Sequence, residues 1–374
     1  MHAAELHLPA QITIAGGCSD MLPGVAERLG MRRPLVVTDP FMAEHGPVAR
    51  FAEALGGAPV FSGVQADPTT ANVADGLAAL AEHQCDGVVA VGGGSSLDTG
   101  KAVAVMARNA GTIGDYAGYG QVPRAGLPLI GVPTTAGTGS EVTRVTVITD
   151  AEQQVKMMLL DDHLLCDAAL VDFELTLSCP RDLTAFVGVD SLTHAIEAYV
   201  SQRASPVTDD WALRAAALIG AHLRRAWHEP EDREARAALA LGATLAGMAF
   251  SNASVALVHG MSRPIGAHFH VPHGLSNAVL LPEVTRWSLD GAPERYARVA
   301  EVLGTGDLVA LLQELNDELE IPRLATLAER AHFDAVKAEM AEAALASGSP
   351  GFNPRVPEAH EIVALYEAVY SHAS

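Results

Sequence analysis

The chain is poor in positive charge. Its 374 residues carry 24 Lys and Arg against 45 Asp and Glu, a formal net charge of −21 with histidine neutral. Nucleic-acid binding draws on clustered Lys and Arg, and anionic membrane surfaces attract polybasic segments, so neither partner suits this composition. Cysteine is scarce as well. Cys18, Cys85, Cys166 and Cys179 show neither metal-ligand pairing nor the spacing of a secreted disulfide framework, and read as reduced thiols of a cytoplasmic protein. The opening MHAAELHLPAQ lacks a basic region followed by an apolar stretch, so no signal peptide is legible. One uncharged run, from Ala237 to Val258, approaches the length of a bilayer span. Gly242, Thr244, Gly247, Ser251, Asn252 and Ser254 interrupt it, and neither an aromatic belt nor a basic flank marks its ends. It reads as a small-residue helix buried in a large protein, with His259 at its end.

Apolar residues are plentiful, at 49 % against 18 % charged, which implies a sizeable core. The length exceeds that of most single cores and predicts two domains. In the first half, apolar runs alternate with helical patterns. Strand candidates are Pro34–Thr38, Gly87–Val91, Leu129–Val132, Val145–Thr149 and Leu170–Val171; helices fit Pro47–Leu55, Thr70–His83 and Leu97–Ala107. Such runs, bounded by Gly and Pro, predict a parallel sheet covered on both faces. After Cys179 the strand signals stop, and helical spacing covers Leu183–Gln202, Asp209–Trp227, Glu231–Phe250, Tyr296–Leu303 and Leu308–Leu319. The expected layout is therefore a Rossmann-like α/β domain over 1–180 and an all-α domain over 181–374. No repeat appears at a period of 20–50 residues.

Two small-residue turns follow predicted strands. Gly92-Gly93-Gly94-Ser95-Ser96-Leu97-Asp98-Thr99-Gly100-Lys101 leads into a helix, which aims backbone N–H groups and the positive helix end at one point and suits a phosphate. It is neither a Walker A loop, since Ser95 stands at the first glycine position, nor the standard dinucleotide fingerprint, since Leu97 replaces the third glycine. Pro133-Thr134-Thr135-Ala136-Gly137-Thr138-Gly139-Ser140-Glu141-Val142-Thr143 offers hydroxyls and amides to a diphosphate or a nicotinamide amide. Two such turns at the carboxyl ends of parallel strands mark where an open α/β sheet binds its ligand. Asp39, closing an earlier strand, is suited to accept from both ribose hydroxyls and to repel a 2′-phosphate, favouring NAD over NADP; an N-cap role beside Pro40 is the alternative.

Asp190 and His194 lie four residues apart in a helical pattern, so both project from one face, where a carboxylate and an imidazole can share a divalent cation. His259 and His273 lie downstream. The four together suit Fe2+ or Zn2+.

Here the residues resemble a known family. Gly188-Val189-Asp190-Ser191-Leu192-Thr193-His194-Ala195-Ile196-Glu197-Ala198 is similar to the metal-binding helix of the iron-containing (group III) alcohol dehydrogenases, and so is Gly247 to Ser254 running into His259-Gly260-Met261. The two turns resemble that family's cofactor loops in the same order, and the resemblance extends to Asn353-Pro354-Arg355. It implies metal ligands at Asp190, His194, His259 and His273. It implies cofactor contacts at Asp39, Gly93, Gly94, Ser95, Asp98, Thr134, Thr135, Thr138 and Lys156, the last at the nicotinamide ribose. It further implies a homodimer or higher homo-oligomer, with the active site in the cleft between dinucleotide and metal domains. One position departs. Many relatives carry a second histidine four residues after the first ligand of that helix, facing the nicotinamide; this chain has Arg263. The expected activity is NAD-dependent interconversion of a primary alcohol and its aldehyde, the metal acting as Lewis acid on the alcohol oxygen. Arg263 is then expected to orient the nicotinamide or an acidic substrate group, with proton release through water, His268 or His270. A metal- and dinucleotide-dependent lyase or hydrolase, or a reductase of an acidic carbonyl compound, is the competing expectation.

Overall fold

The structure, a computed structural model, describes residues 5–152 and 155–371. Residues 1–4, the start of the segment read above for a targeting signal, lie outside the described residues. Two compact units divide the chain, Leu6–Cys179 and the residues from Pro180 onward.

The first unit carries all the strands found among the described residues. In chain order they are β1 (Gln11–Ile14), β2 (Pro34–Val37), β3 (Val60–Phe61), β4 (Gly87–Gly92), β5 (Gly118–Tyr119), β6 (Leu129–Pro133), β7 (Val145–Asp150), β8 (Val155–Leu160) and β9 (Ala168–Val171). Six form a parallel sheet in the order β1-β9-β6-β4-β2-β3. Its central strands are apolar throughout because both faces are covered. Leu35, Val37, Val88 and Ala90 enter one core cluster, whereas Val36, Val89, Val91, Ile130 and Val132 enter the other. This is the two-residue alternation of a strand with no wet side. Val145–Thr149, expected in that sheet, instead lies in β7 of a separate sheet, β5-β8-β7, antiparallel to β8. Its burial alternates, with Thr146 and Ile148 inside, so it packs on one face only, as antiparallel strands do.

The register of the parallel sheet positions its loops. Gly92 at the end of β4 pairs with Pro133 at the end of β6, and Thr134 N donates to Gly92 O at 2.9 Å. Thr38, just past β2, donates through Oγ1 to Val91 O at 2.8 Å. The turns after β2, β4 and β6 therefore begin side by side.

All four cysteines lie in this first unit, buried and outside any disulfide. Burial pushes the Cys166 thiol up to about 12.

The second unit is helical. Arg181–Val200, Pro206–His228 and Arg233–Ala253 pack on one another, followed by Leu257–Phe269 and His273–Ser288. The uncharged run is not one helix. It breaks at Ser254, whose φ is 72°, and His259 belongs to the next helix rather than closing the first. The two helices meet at a bend of 102°, and among the described residues no single helix is long and apolar enough to cross a membrane.

Candidate metal centre and dinucleotide turns

Asp190 and His194 occupy one face of the Arg181–Val200 helix, His259 the first turn of Leu257–Phe269, and His273 the first residue of His273–Ser288. One ligand atom from each lies within 4.8 Å of the other three. Asp190 Oδ1 is 3.9, 3.7 and 3.9 Å from Nε2 of His194, His259 and His273. Ligands about 2.1 Å from one cation stand about 3.4 Å apart at the corners of a tetrahedron, so these separations are of the size a single ion requires. Asp190, His194 and His259 are buried, while the His273 side chain keeps 44 % of its surface exposed.

The imidazoles are held by their neighbours. The His194 ring stacks between Phe250, at 4.2 Å between centroids, and His259, at 4.6 Å. His259 Nδ1 meets Glu197 Oε2 at 2.6 Å, which turns Nε2 toward Asp190. Burial pushes the Asp190 carboxyl up, but the His194, His273 and His259 imidazoles reverse this and hold it well below the usual carboxylate range. The amide nitrogen of Asn277 donates to Asp190 Oδ1 at 2.6 Å and stands 3.1 and 3.2 Å from Nε2 of His259 and His273. Its oxygen is buried with no hydrogen-bond partner. The amide nitrogen has no lone pair to offer, so it suits acceptors turned inward, as a cation needs; one carboxylate and three imidazoles converging in this way fit a divalent metal.

Glu197 and Asn277 have no role in the sequence reading. Their signal was periodicity: Glu197 falls three residues after His194 and Asn277 four after His273, each on its ligand's helix face.

Arg263 lies one turn beyond His259, half-buried. Burial lowers its pKa and the Glu197 carboxylate raises it, with a net downward shift. His270 ends the same helix in the left-handed region, at φ 55°, and is exposed.

In the first unit, Gly93 is the N-cap of the Gly94–Met106 helix, and no side chain caps its free N–H groups. Ser95 follows in the first turn. The turn after β6 lies against this helix start: a Cβ on Gly94 would stand 2.9 Å from Thr138 Cγ2, and one on Gly93 3.6 Å from Thr135 Cγ2. Thr134 continues the pairing of β4 with β6. Asp98 braces the turns, accepting from Ser140 Oγ at 2.7 Å and from Val147 N at 2.8 Å. Asp39 does cap a helix, accepting from Met42 N at 2.9 Å through Oδ1, while Oδ2 accepts from Ser96 Oγ at 3.3 Å. Lys156 sits on β8, with Nζ 2.7 Å from Asp67 Oδ1.

Comparison with known proteins matches two family descriptions in succession. Residues 9–173 match "Iron-containing alcohol dehydrogenase", and residues 184–370 match "Fe-containing alcohol dehydrogenase family, C-terminal". The NAD-dependent methanol dehydrogenase of Bacillus methanolicus is 38 % identical over 301 residues, 79 % of each chain. A crystal structure of 1,3-propanediol oxidoreductase superposes with a TM-score of 0.95 at 35 % identity, covering 98 % of this chain and 100 % of the other. Sulfoacetaldehyde reductase from Bifidobacterium kashiwanohense, solved in complex with NAD+, gives a TM-score of 0.90 at 28 % identity, covering all of both chains. The matches run in order through both units, and the ligand-type cluster falls within the second matched region, so the chain belongs to the iron-containing alcohol dehydrogenase family.

Proposed function

We propose that this protein is an NAD-dependent, divalent-metal-dependent alcohol dehydrogenase that interconverts a primary alcohol and its aldehyde. The observation that carries the reading is the convergence of Asp190, His194, His259 and His273 in a member of this family. These four would hold Fe2+ or Zn2+. When bound, the cation supplies a Lewis acid for the alcohol oxygen and the nicotinamide supplies the hydride acceptor. Gly93, Gly94 and Ser95 present uncapped N–H groups to a diphosphate, and Thr134, Thr135 and Thr138 line the facing turn. Asp98 holds that turn in place, and Lys156 is assigned to the nicotinamide ribose. Arg263 stays protonated at working pH, so it suits orientation of an acidic group or of the nicotinamide rather than proton relay, which falls to water, His268 or His270. The cysteine usage suits a cytoplasmic enzyme, and the resemblance to the family implies a homodimer or higher homo-oligomer acting on small molecules.

A second reading, reduction of an acidic carbonyl compound, is favoured by Arg263 and by the likeness to sulfoacetaldehyde reductase. A panel of neutral and anionic alcohols and aldehydes separates the two, run with NAD and NADP, with Fe2+, Zn2+ or chelator, and followed at 340 nm. Neutral substrates oxidised with NAD support the first reading. Turnover confined to anionic aldehydes supports the second, and turnover undiminished by chelator overturns both.

Cofactor choice gives a sharper test. Asp39→Gly should reduce the preference for NAD over NADP on the order of ten-fold, because a carboxylate facing a phosphate is removed. It should also cost about a few tenths of a kcal/mol of stability, because glycine is itself tolerated at a helix N-cap. Measured kcat/KM with both cofactors decides: an unchanged ratio with lowered stability leaves Asp39 as a cap alone.

A further inference from the structure

Glu197 is buried and reaches from the Arg181–Val200 helix to the start of Leu257–Phe269. Two backbone donors and one imidazole nitrogen converge on it. Oε2 accepts from Ala256 N at 2.9 Å and stands 2.6 Å from His259 Nδ1, and Oε1 accepts from Val258 N at 2.6 Å. The helix it meets has no cap of its own, since Ala256 stands at the N-cap position and offers no side-chain acceptor. One carboxylate therefore satisfies two backbone N–H groups of a helix start and sets the orientation of the imidazole in its first turn.

We propose that Glu197 is a positioning residue for the metal centre, fixing His259 with the proton on Nδ1 and the lone pair of Nε2 turned inward, and thereby coupling metal loading to the fold of the helix start. A carboxylate has no proton to give, so Nδ1 must donate. The opposite end of the ring agrees independently. The Asn277 amide nitrogen, oriented by its 2.6 Å hydrogen bond to Asp190, stands 3.1 Å from His259 Nε2 and requires an acceptor there. Glutamine cannot replace the acid. Its amide has one accepting oxygen and one donating nitrogen, so in either orientation the nitrogen faces a donor. With the nitrogen toward His259, the ring is driven to the tautomer whose Nε2 carries a proton and cannot bind a cation.

The inference rests on His259 being a metal ligand, and the experiment separates the two. Metal-free full-length wild type, Glu197→Gln, Glu197→Asp, His259→Ala and the Glu197→Gln/His259→Ala double variant are titrated with Co2+. The visible ligand-field spectrum and the melting temperature are read with and without the ion. Glu197→Gln should weaken Co2+ binding about 10- to 100-fold, alter the spectrum and shrink the rise in melting temperature that Co2+ produces. Glu197→Asp keeps the charge but withdraws it by one methylene, and should weaken binding several-fold; it serves if the glutamine variant does not fold. In the His259→Ala background, Glu197→Gln should have no further effect on affinity. Wild-type affinity and spectrum in either folded Glu197 variant, or an undiminished effect in the double variant, would overturn the proposal and leave Glu197 a helix cap. Wild-type Co2+ affinity in His259→Ala would instead overturn the ligand assignment.

Discussion

His259→Ala is expected to leave the purified protein without its divalent ion and to lower turnover by roughly three orders of magnitude or more, the several kcal/mol that Lewis-acid assistance contributes. The change removes one of four convergent donor atoms and the ring on which His194 stacks. It also removes the imidazole nitrogen beside Glu197, leaving that carboxylate to the two backbone N–H groups. NAD affinity should change little, because the turns assigned to the dinucleotide belong to the Leu6–Cys179 unit. Elemental analysis for the metal and calorimetric titration with NAD check both halves. One tightly held ion per chain in this variant would remove His259 from the ligand set.

Gly274→Ala should damage the same centre without touching a ligand. A Cβ there would stand 2.6 Å from the Phe186 carbonyl oxygen, 2.9 Å from its carbon and 3.3 Å from Asp190 Cβ. The nearest of these is backbone, so no rotamer change relieves the contact, and the His273–Ser288 helix must move off Arg181–Val200. His273 is the residue before Gly274, and Asp190 is on the helix it would leave. Metal sites tolerate displacements of about 0.2 Å, and relieving this contact takes more. Alanine's better helix propensity offers at most about 1 kcal/mol in return, against about 1–3 kcal/mol for overpacking, so the steric term wins. Metal affinity should fall at least about ten-fold, a loss of about 1.4 kcal/mol, with a lower melting temperature. Titration of the metal-free variant with Zn2+ tests this, and unchanged affinity would mean that the close helix approach does not set the ligand geometry.

The sheet was legible because its central strands obey one rule. Pro34–Val37, Gly87–Gly92 and Leu129–Pro133 are buried on both faces, so each reads as an unbroken apolar run between turn residues. The strands β1, β3, β5 and β8 escaped that reading. Gln11–Ile14, with both faces half-buried, and the two-residue Val60–Phe61 and Gly118–Tyr119 leave too little pattern. Val155–Leu160 includes Lys156 and is exposed at Val155. The break at Ser254 was hidden for another reason: a run of small uncharged residues carries no helix-stop signal, and the N–H groups of the helix that follows are taken up by a buried carboxylate 59 residues away from Ala256 in sequence. At the candidate metal centre, helical spacing singled out only Asp190 and His194, while His259 and His273 entered as downstream histidines through the family resemblance; Glu197 and Asn277 act through hydrogen bonds whose partners only the fold brings near.

The placement of the thiols has a practical consequence. Every cysteine lies in the Leu6–Cys179 unit and none in the helical unit, and Cys166 at about 12 forms almost no thiolate near neutral pH. Alkylating reagents need the thiolate and access to it, so they can modify this buried thiol only when its surroundings open. The rate of thiol capture thus counts openings of the Leu6–Cys179 unit alone. Set beside a helical signal from the whole chain, it distinguishes a protein that melts in one step from one whose α/β half loosens first.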